Sequence, residues 1–196
     1  MRAFLPVLAV IPALALGACN RDPLVSSAQA TPAGNWRIER QLDRITGAPL
    51  ASALLITRAS NSAVAFPQPA MLQLMCFKSQ PTIRLSFEFK VGSSKNSVLG
   101  YRFDEKPGRE IDARFLADFK TVVIEDRAEV ARFAAELATS NVLYVRIRSL
   151  NAGRSSAEFQ LAGAQAAIEA GFAGCPVAPA GARSRAAAPA ADGPAA

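Results

Sequence analysis

Residues Ile83-Arg84-Leu85-Ser86-Phe87-Glu88-Phe89-Lys90-Val91 alternate apolar and polar side chains without a break. Successive side chains of a strand point to opposite faces. The stretch therefore predicts a half-buried strand, with Ile83, Leu85, Phe87, Phe89 and Val91 facing a core. Met71 to Phe77 precedes it across Lys78-Ser79-Gln80-Pro81, so the two form a predicted hairpin in which Leu72, Leu74 and Cys76 share one face. Gly92-Ser93-Ser94-Lys95-Asn96 is turn chemistry leading into a further strand, Ser97 to Phe103.

Other strand candidates are Leu50 to Thr57, Phe119 to Glu125, Val142 to Arg148 and Ala157 to Leu161, several of them rich in β-branched and aromatic residues. Gly153-Arg154-Ser155-Ser156 reads as a plain turn. Two helices interrupt the strands. Asp126 to Ala138 has Asp126 as cap and Glu129 as its capping-box partner. Its Val130, Phe133, Ala134 and Leu137 fall at i, i+3, i+4 and i+7, a buried stripe. Arg132 and Glu136 are expected to pair on its outer side. The second helix, about Gly163 to Ala170, turns Ala164, Ala167 and Ile168 inward. Runs of strands with two late helices predict an α+β fold, an antiparallel β-rich sheet or sandwich.

Ahead of this domain, residues 1–18 read as a signal peptide. Arg2 supplies a positive n-region, and Ala3 to Leu16 is uncharged and apolar but too short to span a bilayer, which needs about 20 residues. The segment ends Leu16-Gly17-Ala18-Cys19, which resembles the lipobox of bacterial lipoproteins. That resemblance implies cleavage before Cys19 and a thioether-linked lipid on it. An ordinary secretory peptide cut at Ala28-Gln29-Ala30 is the alternative. Residues 19–34, rich in Ala, Ser and Pro, read as a lipidated tether. The globular domain is expected over 35–177, and 178–196, almost wholly Ala, Pro, Gly, Arg and Ser, as a disordered tail. Either cleavage route places the domain in the periplasm, and the lipid would anchor it to a membrane, by preference the outer one.

The chain has three cysteines. With Cys19 lipidated, Cys76 and Cys175 remain. In an oxidising compartment their economical state is one disulfide, closing the domain; two buried free thiols are the alternative. The sequence contains no histidine, so it can build no Ser-His-Asp triad, no Cys-His dyad and no His-ligated metal site. No metal, cofactor or catalytic residue is expected. The adjacent carboxylates Asp104-Glu105 and Glu125-Asp126 would point to opposite faces of a strand and make no acid–base couple. Ser94-Lys95 sits in turn chemistry rather than in a dyad. The formal charge of +6 is spread without a basic run, so nucleic acid is not an expected partner.

Binding chemistry survives in three places. Trp36 opens the domain, as a core anchor or a ligand platform. Arg102 and Asp104 lie two apart on a predicted strand, hence on one face, as a structural pair or a ligand clamp. Arg146 and Arg148 share a face of the Val142 strand, and Arg102 joins them if the strands are neighbours. Such a patch would suit a carboxylate or phosphate partner, with a merely solvated sheet face as the alternative.

Taken in order, several pieces form a series: Trp36, the strand ending Leu74-Met75-Cys76, Tyr101-Arg102-Phe103-Asp104, Val142-Leu143-Tyr144-Val145-Arg146, and Phe159-Gln160-Leu161-Ala162-Gly163 before Cys175. The series resembles the type VI secretion-associated VasI/TagO family of small exported proteins. The resemblance implies a non-enzymatic accessory of a secretion apparatus in the envelope, and it too implies the Cys76–Cys175 bond. The expected function is a non-enzymatic envelope lipoprotein binding a protein or peptidoglycan partner. The alternatives are an inhibitor of a periplasmic hydrolase such as a lysozyme, and a hydrolase acting through converging carboxylates.

Overall fold

The computed structural model describes residues 29–93, 97–175 and 177. The expected signal peptide, Cys19 and the 178–196 tail lie outside the described residues, as do Ser94 and Lys95. The described chain forms eleven strands and two helices: β1 (Gln29–Ala33), β2 (Trp36–Leu42), β3 (Pro49–Asn61), β4 (Gln68–Phe77), β5 (Gln80–Phe87), β6 (Ser97–Phe103), β7 (Arg109–Ile111), β8 (Arg114–Phe115), β9 (Thr121–Ile124), α1 (Arg127–Leu137), β10 (Val142–Ser149), β11 (Gly153–Gln160) and α2 (Ala164–Gly171). The strands join in one antiparallel sheet of order β7-β6-β10-β11-β3-β4-β5-β9-β8, with β1 and β2 branching from β3. The class is the α+β, antiparallel one expected, as a single curved sheet.

β3 is the hub. One edge carries β4 along most of its length. The other edge carries β2 over Pro49–Leu54 and β11 over Ala59–Asn61. Between these, β2 and β11 part, and Arg58 sits in the fork. The Thr57 hydroxyl bridges the gap by donating to the Glu158 carbonyl at 2.6 Å.

The core lies on the concave face, under the helices. Ile83, Leu85 and Phe87 face inward beside Leu72 and Leu74, all almost fully buried, as the alternation predicts. α1 buries Val130, Phe133, Ala134 and Leu137. Phe133 stacks edge-on against Tyr101 and Phe103, each at 5.0 Å between centroids. α2 buries Ala164, Ala167, Ala170 and Gly171, and Ile168 packs at the margin. Trp36 is a core anchor, 1% exposed, with its indole N–H donating to the Leu161 carbonyl at 3.4 Å.

Several boundaries differ from expectation, each for a physical reason. Gln29–Ala33, expected as tether, is an edge strand paired with β2, so the domain begins earlier. Its turn is held by backbone contact: Asn35 N–H donates to the Ala162 carbonyl at 2.8 Å. β5 stops at Phe87 because the next residues bond to a turn instead. Phe87 and Val91 N–H donate to the Lys120 and Phe119 carbonyls at 3.0 and 2.7 Å. Val91 is still buried, while Phe89 is only partly so. Phe119 is not in a strand, because it takes a left-handed φ of 54° in a turn capped by Asp118, whose carboxylate accepts Lys120 and Thr121 N–H at 2.9 and 3.1 Å. Asp126 caps α1 as expected, accepting Glu129 N–H at 2.9 Å. Arg132, however, pairs with Glu129 at 2.6 Å rather than with Glu136. Residues 153–156, read as a turn, are the first half of β11.

Cys76 and Cys175 are bonded, with Cα atoms 5.7 Å apart. The bond ties the chain just past α2 to the end of β4. Around it the packing is close: a Cβ on Gly171 would lie 2.8 Å from the Leu74 carbonyl oxygen.

Candidate functional site

The outer face of β7-β6-β10-β11-β3 is built by period-2 alternation. In β10, Leu143, Val145 and Ile147 go to the core, leaving Tyr144, Arg146 and Arg148 outside. In β11, Ser155, Ala157 and Phe159 go in, leaving Arg154, Ser156 and Glu158 out. The register then lines up one row across five strands. Glu110 of β7 faces Gly100 of β6, Gly100 faces Arg146 of β10, Arg146 faces Ser156 of β11, and Ser156 faces Ser60 of β3. In the flanking rows Tyr144 lies between Arg102 and Glu158, and Arg148 lies opposite Arg154.

These rows bound an open groove of about 840 Å³. Its floor is small: Gly100, Ser156 and Ser60 carry no bulk. Its walls are cationic, because the side chains of Arg58, Arg102, Arg146 and Arg154 line it against those of Glu110 and Glu158. The Arg102 guanidinium lies 4.9 Å over the Tyr144 ring, a cation–π contact that holds the arm in place. Arg102 also approaches Glu105 at 3.8 Å. Arg146 pairs with Glu110 at 3.1 Å, and Arg148 pairs with the same carboxylate oxygen. Arg109 turns to the inner side and pairs with Glu129 of α1 at 3.6 Å. Arg58 and Arg154 are exposed and have no ion pair among the described residues.

Of the residues singled out in the sequence, Arg102, Arg146 and Arg148 do converge, because β6 and β10 are neighbours. Asp104 does not join them. The chain leaves β6 at Phe103, and Asp104 takes a left-handed φ of 46°. Its carboxylate accepts Val142 N–H at 2.9 Å and Asn141 N–H at 3.0 Å. Those backbone donors, Val142 first, hold its carboxyl below the usual aspartate value. Asp104 thus closes the corner between α1 and β10. Glu125 is likewise committed, accepting a fork of two bonds from Arg114 at 2.9 and 2.6 Å.

The comparisons with known proteins add little to this geometry. No family model matches the chain, and no curated protein matches it. Among solved structures it is similar to the crystal structure of invasion associated protein B from Bartonella henselae, at 14% identity and a TM-score of 0.48, over 74% of this chain and 96% of that one. A likeness that loose transfers neither a site nor a role.

Arg58, Arg154, Arg109 and Glu110 were not among the residues the sequence pointed to. A signal for one of them, Arg154, is present. Arg154-x-Ser156-x-Glu158 alternates with Ser155, Ala157 and Phe159, which marks an outward polar face once the segment is taken as a strand.

Beneath the groove, on the core side, the Tyr101 hydroxyl, Arg109 Nε and Glu129 Oε2 are buried without a hydrogen-bond partner. Burial, with the Glu129 charge next, pushes the Tyr101 hydroxyl up to about 12. The phenol therefore stays neutral through the physiological range and supplies a donor, not a base.

Proposed function

We propose that this chain is a non-enzymatic periplasmic lipoprotein, anchored through Cys19, whose arginine groove binds an anionic envelope partner, either a protein or peptidoglycan. The resemblance to the VasI/TagO series makes a type VI secretion accessory the role we favour for it. The observation that carries the reading is the groove itself: four arginine side chains against two glutamates over a floor of glycine and serine. Guanidinium groups recognise carboxylate and phosphate with planar, paired donors, and they stay charged at every physiological pH. Such a surface steers an anionic partner in and fixes its register.

The mature lipoprotein, used as bait against envelope extract and isolated sacculi, tests this. The wild type is expected to retain a defined partner that is released by salt, because exposed charge interactions are screened over about 10 Å at 0.1 M. Arg58→Ser with Arg154→Ser should lose that partner while the fold is kept. Equal recovery by both proteins would refute the groove as the binding face. The anchor has its own check: Cys19→Ala should move the chain from the membrane fraction to the soluble periplasm.

The inhibitor reading has one observation behind it. The turn between β2 and β3 is closed by its own hydrogen bonds and carries an exposed apolar side chain. Asp43 accepts the N–H groups of Ile45 and Thr46 at 2.7 and 3.0 Å, while Ile45 is 78% exposed. A pre-organised turn of this kind is what a cleft-blocking loop needs. Inhibition of a lysozyme, abolished by Ile45→Asp, would put this reading first.

A further inference from the structure

We infer that the groove takes an acidic, extended polypeptide segment, and that Glu110 is the chain's own stand-in for one of that segment's carboxylates. This rests on the groove being the binding face and goes on to name what it binds.

Glu110 sits on β7, a three-residue strand at the edge of the sheet. Across β6 stands Gly100, which pairs with Glu110 on one side and Arg146 on the other. Because Gly100 has no side chain, nothing stands between them. A Cβ there would meet the Glu110 Cγ at 3.6 Å. The Glu110 side chain therefore reaches over β6 and places one carboxylate oxygen on both Arg146 and Arg148. That carboxylate occupies a ready-made two-arginine fork. Its side chain is 46% exposed, so water and competing anions reach it. Ion pairs of this exposure hold only weakly and exchange easily.

On the other side of the floor, Arg58 and Arg154 have no ion pair among the described residues. Arg154 lies directly across from Arg148, and like charges placed opposite each other on a sheet are destabilising. Glu110 neutralises part of this cluster but does not reach Arg58, which has no ion pair among the described residues. The face keeps this repulsion and has only part of the counter-charge it needs. An incoming anion supplies the rest.

Charge and composition point to a polypeptide. Arg146 and Arg148 close on one carboxylate oxygen, while Arg58, Arg102 and Arg154 stand apart from that fork on the same face. A chain with a carboxylate on every other residue can place one at the fork and others against the separate arginines. The exposed Ser156 and Ser60 hydroxyls, beyond Arg146 in the same row, can offer a peptide backbone hydrogen bonds. Tyr144 under Arg102 supplies the Tyr and Arg chemistry that dominates protein–protein hot spots.

The test uses the mature chain and a labelled synthetic peptide alternating Glu and Ser, read by fluorescence anisotropy. A Gln-Ser peptide of equal length is the control, and sacculi and anionic vesicles are the rival ligands. Glu110→Gln keeps volume and an acceptor oxygen but removes the competing charge. It is expected to tighten Glu-Ser binding by about two- to fivefold, the scale of an exposed ion pair. Arg146→Ser with Arg148→Ser should weaken it by about tenfold or more, and the Gln-Ser peptide should not bind. Thermal unfolding of each variant confirms the fold. Binding that is unchanged or weaker in a folded Glu110→Gln protein overturns the stand-in role. Wild type that retains sacculi or vesicles through its arginines but ignores the Glu-Ser peptide overturns the polypeptide assignment and leaves the groove as binding face intact. Wild type whose capture of partners is indifferent to the arginines overturns both.

Discussion

Opening the Cys76–Cys175 bond is the perturbation with the most direct reading. The two cysteines are 99 residues apart, so the bond closes a loop that takes in β5 to β11, both helices and most of the core. In the chain-entropy account a loop of about 100 residues is worth about 4.7 kcal/mol through its constraint on the unfolded chain. A domain of this size moves its midpoint by about 2–4 °C per kcal/mol, so removal should lower Tm by roughly 10–20 °C. The loss should also show locally. α2 is only eight residues long, and Gly163 at its start gives no side-chain cap. Its far end is held to β4 by the close approach of Gly171 to Leu74 and by the disulfide, next to the buried Phe172. Once the bond is gone, amide exchange in α2 should rise before that in β4 and β5. The assay is thermal unfolding by circular dichroism of exported protein, with and without reductant, alongside Cys76→Ser with Cys175→Ser. Reduced wild type and the double variant should coincide. A shift of only about 2 °C, or two titratable thiols in the natively exported protein, would refute the argument.

Two further outcomes follow from the corners of the fold. Asp104 has its folded-state pKa held below the ordinary 3.8 by the Val142 and Asn141 N–H groups. Its charged form is therefore favoured by folding, and the stabilisation is present above about pH 4 and lost as pH falls through the lowered value. Asp104→Asn should lower Tm at neutral pH and flatten part of the acid limb of a Tm-against-pH profile. Only part is expected, because Asp43, Asp118 and Glu125 are shifted in the same direction; an unchanged acid limb would count against the corner assignment. Gly163 has a φ of 93°, and a Cβ there would overlap the Ala33 carbonyl oxygen of the β1–β2 turn. Gly163→Ala should cost at least about 2 kcal/mol in urea unfolding and loosen β1 first, because strain and backbone collision add.

Elements with a complete local signal were legible in the sequence. The run Ile83 to Val91 has one solution that buries five apolar residues, and β5 takes it as far as Phe87. α1 has both a cap and a stripe, and both are realised. The misreadings lie where the deciding contact is distant. Gln29–Ala33 carries small and polar residues that suit a linker, and becomes a strand because the turn at Gly34 packs backbone to backbone against Ala162 and Gly163. Phe119 looks like the start of a strand by its side chain. The Asp118 carboxylate turns it out of the sheet by offering its neighbours' N–H groups a nearer acceptor.

The groove shows why half a site can be read and half cannot. Arg146 and Arg148 share a strand, so alternation alone places them together, and Arg102 joins them because β6 pairs with β10 across an intervening strand candidate and α1. Arg58 and Arg154 are 96 positions apart in the chain, and they come to line one groove because β11 pairs with β3 over three residues, Ala59 to Asn61. Slipping that register by one residue would send Arg154 into the core and Ser155 to the surface. The register is fixed from the inner side, where Asn61 donates to the Ser155 hydroxyl at 2.7 Å and to the Ala152 carbonyl at 2.9 Å. A buried polar pair on the core face thus sets which arginines stand on the outer one. Asn61→Leu, which leaves every groove residue in place in the sequence, should weaken capture of an anionic partner by altering the β3–β11 pairing. Undiminished capture by a folded Asn61→Leu protein would show that the groove does not depend on that register.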